Sequence, residues 1–189
     1  MKKIIITFLS CLCIVSALGQ SKADTELSLF LQKMKPDSYV YVKSGCKSCP
    51  IDYEDTLENK IDSVVIKLLV KKQDKQILAI FSDWDDMKKQ EVQHTKIFEY
   101  IKENISVFKE KDSYYKIAMQ AKFQAPCLVI FPYETINIKL SNFEFNHTLV
   151  EREMDNCGTD LEREKWFQKE IELLKMIDEL FDFAHLTVL

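Results

Sequence analysis

Glycine is nearly missing from this chain, with three in 189 residues and no two of them close together. Loops that cradle phosphate need clustered glycines so that backbone N–H groups can close on the anion, and their absence removes that chemistry from consideration. Neither glycine nor the four prolines gather into a linker, and no internal repeat or low-complexity tract occurs. Basic residues are in deficit, 26 Lys and Arg against 30 Asp and Glu, which argues against a nucleic-acid partner. The cysteines do not form two close pairs of the kind that structural zinc sites favour, so no metal site is expected. A Pro-x-x-x-Thr/Ser-x-x-Cys peroxidatic motif is also lacking.

What is present begins with a leader. Lys2 and Lys3 precede an apolar stretch from Ile4 to Val15, and Ala17-Leu18-Gly19 supplies small residues at a cleavage site before Gln20. The stretch is short for a bilayer span, so residues 1–19 read as a cleaved secretory signal and the protein as exported, periplasmic or extracellular. A lipid anchor is the weaker alternative, because Phe8-Leu9-Ser10-Cys11 only loosely resembles a lipoprotein box. Residues 20–189 then form one domain with room for a proper core and no later membrane span. The leader takes two basic residues and no acidic ones, leaving 24 against 30 in the mature chain. Four cysteines stay with it, Cys46, Cys49, Cys127 and Cys157, in a compartment where disulfides form and persist.

The hydrophobic pattern gives a sequence of elements. Leu27, Phe30, Leu31 and Met34 mark a helix closed by Pro36, and Ser38–Lys43 alternates as a strand. From Tyr53 to Leu69 the apolar spacing is helical, although Val64–Val70 alone also suits a buried strand. Ile77–Phe81 reads as a buried strand, and Ser82–Asp86 as a loop and cap before a helix carrying Met87, His94, Ile97, Phe98 and Ile101. His94 is given no role. Ile105–Phe108 is expected to be a short strand and Ser113–Lys122 a short helix. Ala125-Pro126-Cys127 opens a strongly β-forming run to Phe131, with Thr135–Phe145 as an alternating hairpin paired to it. From Leu161 a charged amphipathic helix carries Trp166, Phe167, Ile171, Leu174, Ile177 and Phe181.

The stretch with chemistry in it is Ser44-Gly45-Cys46-Lys47-Ser48-Cys49-Pro50, which follows the first strand and leads into a helix-patterned run. Two thiols three positions apart at a helix start can close a disulfide, and the orphan N–H groups there favour the first sulfur as thiolate. Cys46 is then the nucleophile and Cys49 the resolving thiol that releases a mixed disulfide. Half a zinc site, a static disulfide and coincidence stand beside this reading. Lys47 adds positive charge next to the thiolate, against the alternative of a solvated lysine with little effect. Cys127 is a third redox thiol or a small buried hydrophobe, and it can pair with Cys157, a connectivity that sequence does not fix.

In this order the chain resembles the thioredoxin fold, and more particularly the exported TlpA-like thiol:disulfide oxidoreductases, over roughly residues 38–145. The resemblance implies an α/β three-layer sandwich: a mixed central sheet with helices on both faces and an extra helix and strand inserted between the cysteines and the proline. A C-terminal helical extension over about 160–184 is added to it. It further implies that Pro126 is a cis-proline facing the Cys46–Cys49 pair, and that Ala125 offers its backbone to an incoming cysteine-containing protein or peptide. An unidentified redox partner completes the cycle, and no cofactor is required. Departures from the family are Ser44-Gly45 where an aromatic residue usually precedes the first cysteine, the Lys47-Ser48 dipeptide, and no carboxylate in the first strand. The competing function is a redox-inactive thioredoxin-like peptide-binding module with a structural disulfide.

Overall fold

The computed structural model describes residues 21–46, 63–112, 132–150 and 164–186. The described elements are α1 (Lys22–Met34), β1 (Ser38–Cys46), β2 (Ser63–Lys72), β3 (Lys75–Ser82), β4 (Lys88–Val92), α2 (Ile97–Glu103), α3 (Ile105–Phe108), β5 (Pro132–Leu140), β6 (Phe143–Val150) and α4 (Lys165–Phe183). The six strands form one sheet in the order β4-β3-β2-β1-β5-β6. All five pairings are antiparallel, which corrects the expected mixed sheet. The cause is local: β1 to β4 succeed one another as neighbours, and the β5–β6 hairpin closes on the other side of β1.

Helices cover both faces. On one face α1 lies over β2 and β3, with Ala23, Leu27 and Phe30 packed against Val64, Ile66, Leu68, Val70, Ala79 and Phe81. On the other, α2, α3 and α4 bury Ile97, Phe98, Ile101, Phe108, Leu173, Ile177 and Phe181 against Val40, Val42, Leu69, Leu78, Ile136 and Ile138. Burial of both faces explains why β2 reads as a continuous apolar run. Val64, Ile66, Leu68 and Val70 enter the first core, while Leu69 enters the second. Its period is two, split between two cores, so the helical spacing expected to continue through Leu69 is a coincidence of that double burial.

Three other expectations change. Lys88–Val92 is an edge strand where a helix beginning near Met87 was expected. Its Lys-Lys-Gln-Glu sequence suits an edge, since charge there discourages pairing with another chain. The helix begins only at Ile97. Ile105–Phe108 is helical, because it follows α2 directly after Asn104 and brings Phe108 into the core beside Ile101. The Thr135–Phe145 hairpin exists as β5 and β6, but its described partner is β1, with Val42 opposite Ile136. The run 123–131 that was expected to pair with it lies outside the described residues, as does the helix expected over 113–122.

The first helix shows how local signals fix an element. The Ser21 Oγ accepts from the Asp24 N–H at 3.1 Å, a helix N-cap. At the other end Lys35 takes a left-handed conformation (φ 47°) and its N–H donates to the Leu31 carbonyl at 2.9 Å. That geometry favours glycine; here Pro36, which cannot continue a helix, follows instead.

Candidate functional site

Cys46 is the last residue of β1, a central strand bonded on both sides, and it stands opposite Ser63 of β2 and Pro132 of β5. The strand continues through Ser44 and Gly45 because both neighbours supply ladder partners up to that point. The same end of the sheet carries the start of β2, the end of β3, the start of β5 and the end of β6. Sequence places Cys49 three positions beyond Cys46, Cys127 five before Pro132, and Cys157 seven beyond Val150. Cys46 and the described strand ends that flank Cys49, Cys127 and Cys157 in the sequence therefore meet at one end of the sheet.

Cys49, Lys47, Ala125, Pro126, Cys127 and Cys157 themselves lie outside the described residues, as do residues 1–19 that were expected to form a secretory signal. The proline found level with Cys46 is Pro132, which opens β5 as a strand-initiating proline should. Sequence reading gave Pro132 no role; its own candidate, Pro126, six residues earlier, lies outside the described residues.

Around this end several polar groups are committed to structure. The Lys43 ammonium, three residues before Cys46, pairs with Asp24 of α1 at 2.7 Å. Ser44 donates its hydroxyl to Glu134 of β5 at 3.3 Å. Asp83, just past β3, accepts from the Ala23 N–H at 2.9 Å and the Val64 N–H at 3.1 Å. One carboxylate thus ties the start of α1 to the start of β2, and Ser82 Oγ secures the next turn by accepting from the Asp85 N–H at 2.9 Å. Trp84 is left 48% exposed on that turn, an unusual position for so large an apolar ring.

Two histidines, His94 and His147, have described side-chain partners, and both are structural in character. His94 bridges the Gln76 amide and Glu99 at 3.0 and 2.6 Å, while Gln76 also accepts from Thr95, so the network shapes the entry to α2. His147 of β6 meets Glu170 of α4 in the core, Nδ1 lying 2.8 Å from Oε2, with the ring edge-on to Trp166. The pair was missed in the sequence although the signal is there. His147 continues the inward alternation of Phe143 and Phe145, and Glu170 sits among Trp166, Phe167, Leu173 and Leu174 on the buried stripe of α4. It does not serve Cys46: His147 is level with Val42 through Ile136, which puts it about 16 Å away by strand rise and spacing.

Among the described residues no group of three or more His, Cys, Asp or Glu side chains is placed to hold a metal ion. No described helix is long and apolar enough to cross a membrane. A scan against protein-family models finds no match to the chain, and a search of curated proteins finds none either.

Proposed function

We propose that the protein is an exported thiol:disulfide oxidoreductase that exchanges disulfides with cysteine-containing proteins or peptides through Cys46 and Cys49. The observation that supports this reading is the placement of Cys46 at the end of a doubly paired central strand. A nucleophile mounted there is held by a rigid scaffold yet borders the segment that contains its partner thiol. The Cys46 thiolate attacks a substrate disulfide, forming a mixed disulfide and releasing one substrate thiolate. Cys49, as thiolate, then attacks the Cys46 sulfur and releases the second. The substrate gains two electrons and the protein is left with a Cys46–Cys49 disulfide, which a dithiol partner reduces; the reverse sequence oxidises a dithiol substrate.

The finer proposal is a thioredoxin-like, TlpA-like framework, with Ala125 and Pro126 beside the substrate path and Lys47 and Cys127 as modulators. It rests on motif order. Antiparallel neighbours on both sides of β1 are not the mixed arrangement that this resemblance implies, so the cysteine placement carries the functional reading and the framework does not.

The test is a redox titration with alkylation and mass readout, joined to separate Cys46→Ser and Cys49→Ser variants assayed for reduction of a disulfide peptide. Exchange is expected to vanish in the first variant, and mixed disulfides to accumulate on Cys46 in the second. Wild-type activity in Cys46→Ser, or a pair that stays oxidised below about −300 mV, the range of structural disulfides, replaces this reading with the static binding module.

A further inference from the structure

At the opposite end of the sheet from Cys46, a cleft of about 380 Å³ opens across β1, β5 and β6. Its floor includes Tyr39, Asn137, Asn146 and Lys139, in positions fixed by register: Tyr39 faces Lys139, and Asn137 faces Asn146. Tyr39 is seven residues from Cys46 along β1, or about 23 Å at the rise of a strand. The cleft is therefore separate from the thiol site. Its volume falls within the roughly 300–1,000 Å³ range of small-molecule pockets, and too low for a folded partner.

Its electrostatics select against ions. Two cations, Lys111 and Lys139, are matched by two anions, Asp112 and Glu144. The Lys139 ammonium is bound to Glu144 at 2.7 Å. The Lys111 ammonium donates to the Asn146 carbonyl and stands 4.8 Å from the centre of the Phe145 ring. Its burial pushes its pKa below the ordinary lysine value, as expected of a cation turned toward protein instead of water. An anionic ligand would have to displace internal partners, and a cationic one would meet two ammonium groups.

Three groups lining the cleft are uncommitted: the Tyr39 hydroxyl and the side-chain amides of Asn137 and Asn146 make no hydrogen bond within the protein among the described residues. Each amide offers donors and an acceptor, and the hydroxyl offers both. The Tyr39 ring is held flat by stacking on Tyr41, with centroids 6.2 Å apart and planes 15° apart. An aromatic plate flanked by groups that both donate and accept, with balanced charge around it, suits a ligand with a C–H face and a rim of hydroxyls. We infer that the cleft binds a neutral mono- to trisaccharide, independently of the thiol chemistry.

The test is an amide chemical-shift titration of the purified protein with maltotriose, cellotriose and triacetylchitotriose, each to about 10 mM, the weak end of carbohydrate-like affinity. Trialanine and inorganic phosphate serve as competing ligand classes. Saturable shifts with at least one sugar, centred on Tyr39, Asn137 and Asn146, are expected. Tyr39→Ala should weaken binding at least about tenfold and Asn137→Ala several-fold, while Cys46→Ser leaves it unchanged. Should Tyr39→Ala fail to fold, Asn137→Ala and Asn146→Ala on the exposed strand face carry the same comparison. The inference is overturned if none of the sugars produces saturable shifts, if only trialanine or phosphate shifts these residues, or if the variants bind the sugar as the parent does.

Discussion

The two faces of the sheet treat polar side chains in opposite ways. On the face under α1, the helix covers β2 and β3 and stops, and no described helix lies over Thr135, Asn137, Lys139, Glu144, Asn146 and Thr148 of the hairpin. On the other face the cover is complete along the hairpin, and Ile136, Ile138, Phe143 and Phe145 lie inside it. There even the polar His147 is enclosed, only 5% exposed against a Glu170 that is 0% exposed. The alternation along β5 and β6 decides both outcomes. Polar residues at outward positions leave a half-face that water can solvate and a ligand can use, whereas a polar residue at an inward position requires a partner from the covering helix.

That contrast can be broken most forcefully from the apolar side. Phe81 is fully buried and meets Phe30 of α1 edge-on at 5.7 Å. Phe81→Ala should cost about 3–5 kcal/mol in denaturant unfolding, because it removes the ring that joins β3 to the covering helix. On the other face, Glu170→Ala leaves His147 buried without its carboxylate and should cost about 3 kcal/mol. A His147→Leu/Glu170→Leu double variant should recover most of that loss. If the double variant is as unstable as the single one, the pair contributes more than mutual satisfaction.

A smaller effect should come from the join between α2 and α4, where Tyr100 donates to Glu172 at 2.7 Å. Hydrogen bonds from Lys169 and then Tyr100 hold the Glu172 carboxyl below its ordinary value of 4.5. A depressed folded pKa gives stability that is present above the unfolded value and lost as pH falls through the carboxylate range. Because Glu172 is half exposed and water screens the interaction, Tyr100→Phe should cost only about 0.5–1 kcal/mol near neutrality, with the two stability curves converging as pH falls below the ordinary carboxyl value of 4.5. The smallest expected effect is Asn137→Ala on the uncovered half-face, within about 0.5 kcal/mol of the parent. A larger loss there would mean that the half-face is covered after all.

The parts of the fold legible in the sequence are those with a single dominant period. Ser21 and Pro36 bracket α1 as capping chemistry requires, the alternation of Ser38–Lys43 and Thr135–Phe145 gives strands, and the stripe from Trp166 to Phe181 gives α4. The β2 strand was ambiguous because burial on both faces erases the alternation that would separate it from a helix. The edge strand β4 was hidden for the opposite reason, since its Lys-Lys-Gln-Glu surface carries no apolar signal at all. Strand direction was not readable: a thiol motif after a strand suggested a crossover to a parallel neighbour, while β1 is in fact flanked by antiparallel ones. Of the candidate site, only the position of Cys46 falls among the described residues, and it differs from the expectation: β1 runs on through Ser44 and Gly45 to end at Cys46, where the sequence was read as a strand to Lys43 with Cys46 at a helix start. Pro132 and Glu134 beside it needed the register between β1 and β5, which no local pattern encodes.

That register sets a schedule for assembly. Cys46 and Pro132 are neighbours in the sheet yet 86 positions apart in sequence, whereas β1 to β4 are joined in immediate succession. A chain emerging from its N-terminus can complete α1 and the first four strands while the flank of β1 that receives β5 still waits for the hairpin. Until the hairpin arrives, Tyr39-Val40-Tyr41-Val42 presents an unsatisfied, strongly β-forming edge at the middle of the future sheet. Docking β5 there is the slow, long-range closure of this topology, and the interval before it is when a second nascent copy competes for the same edge.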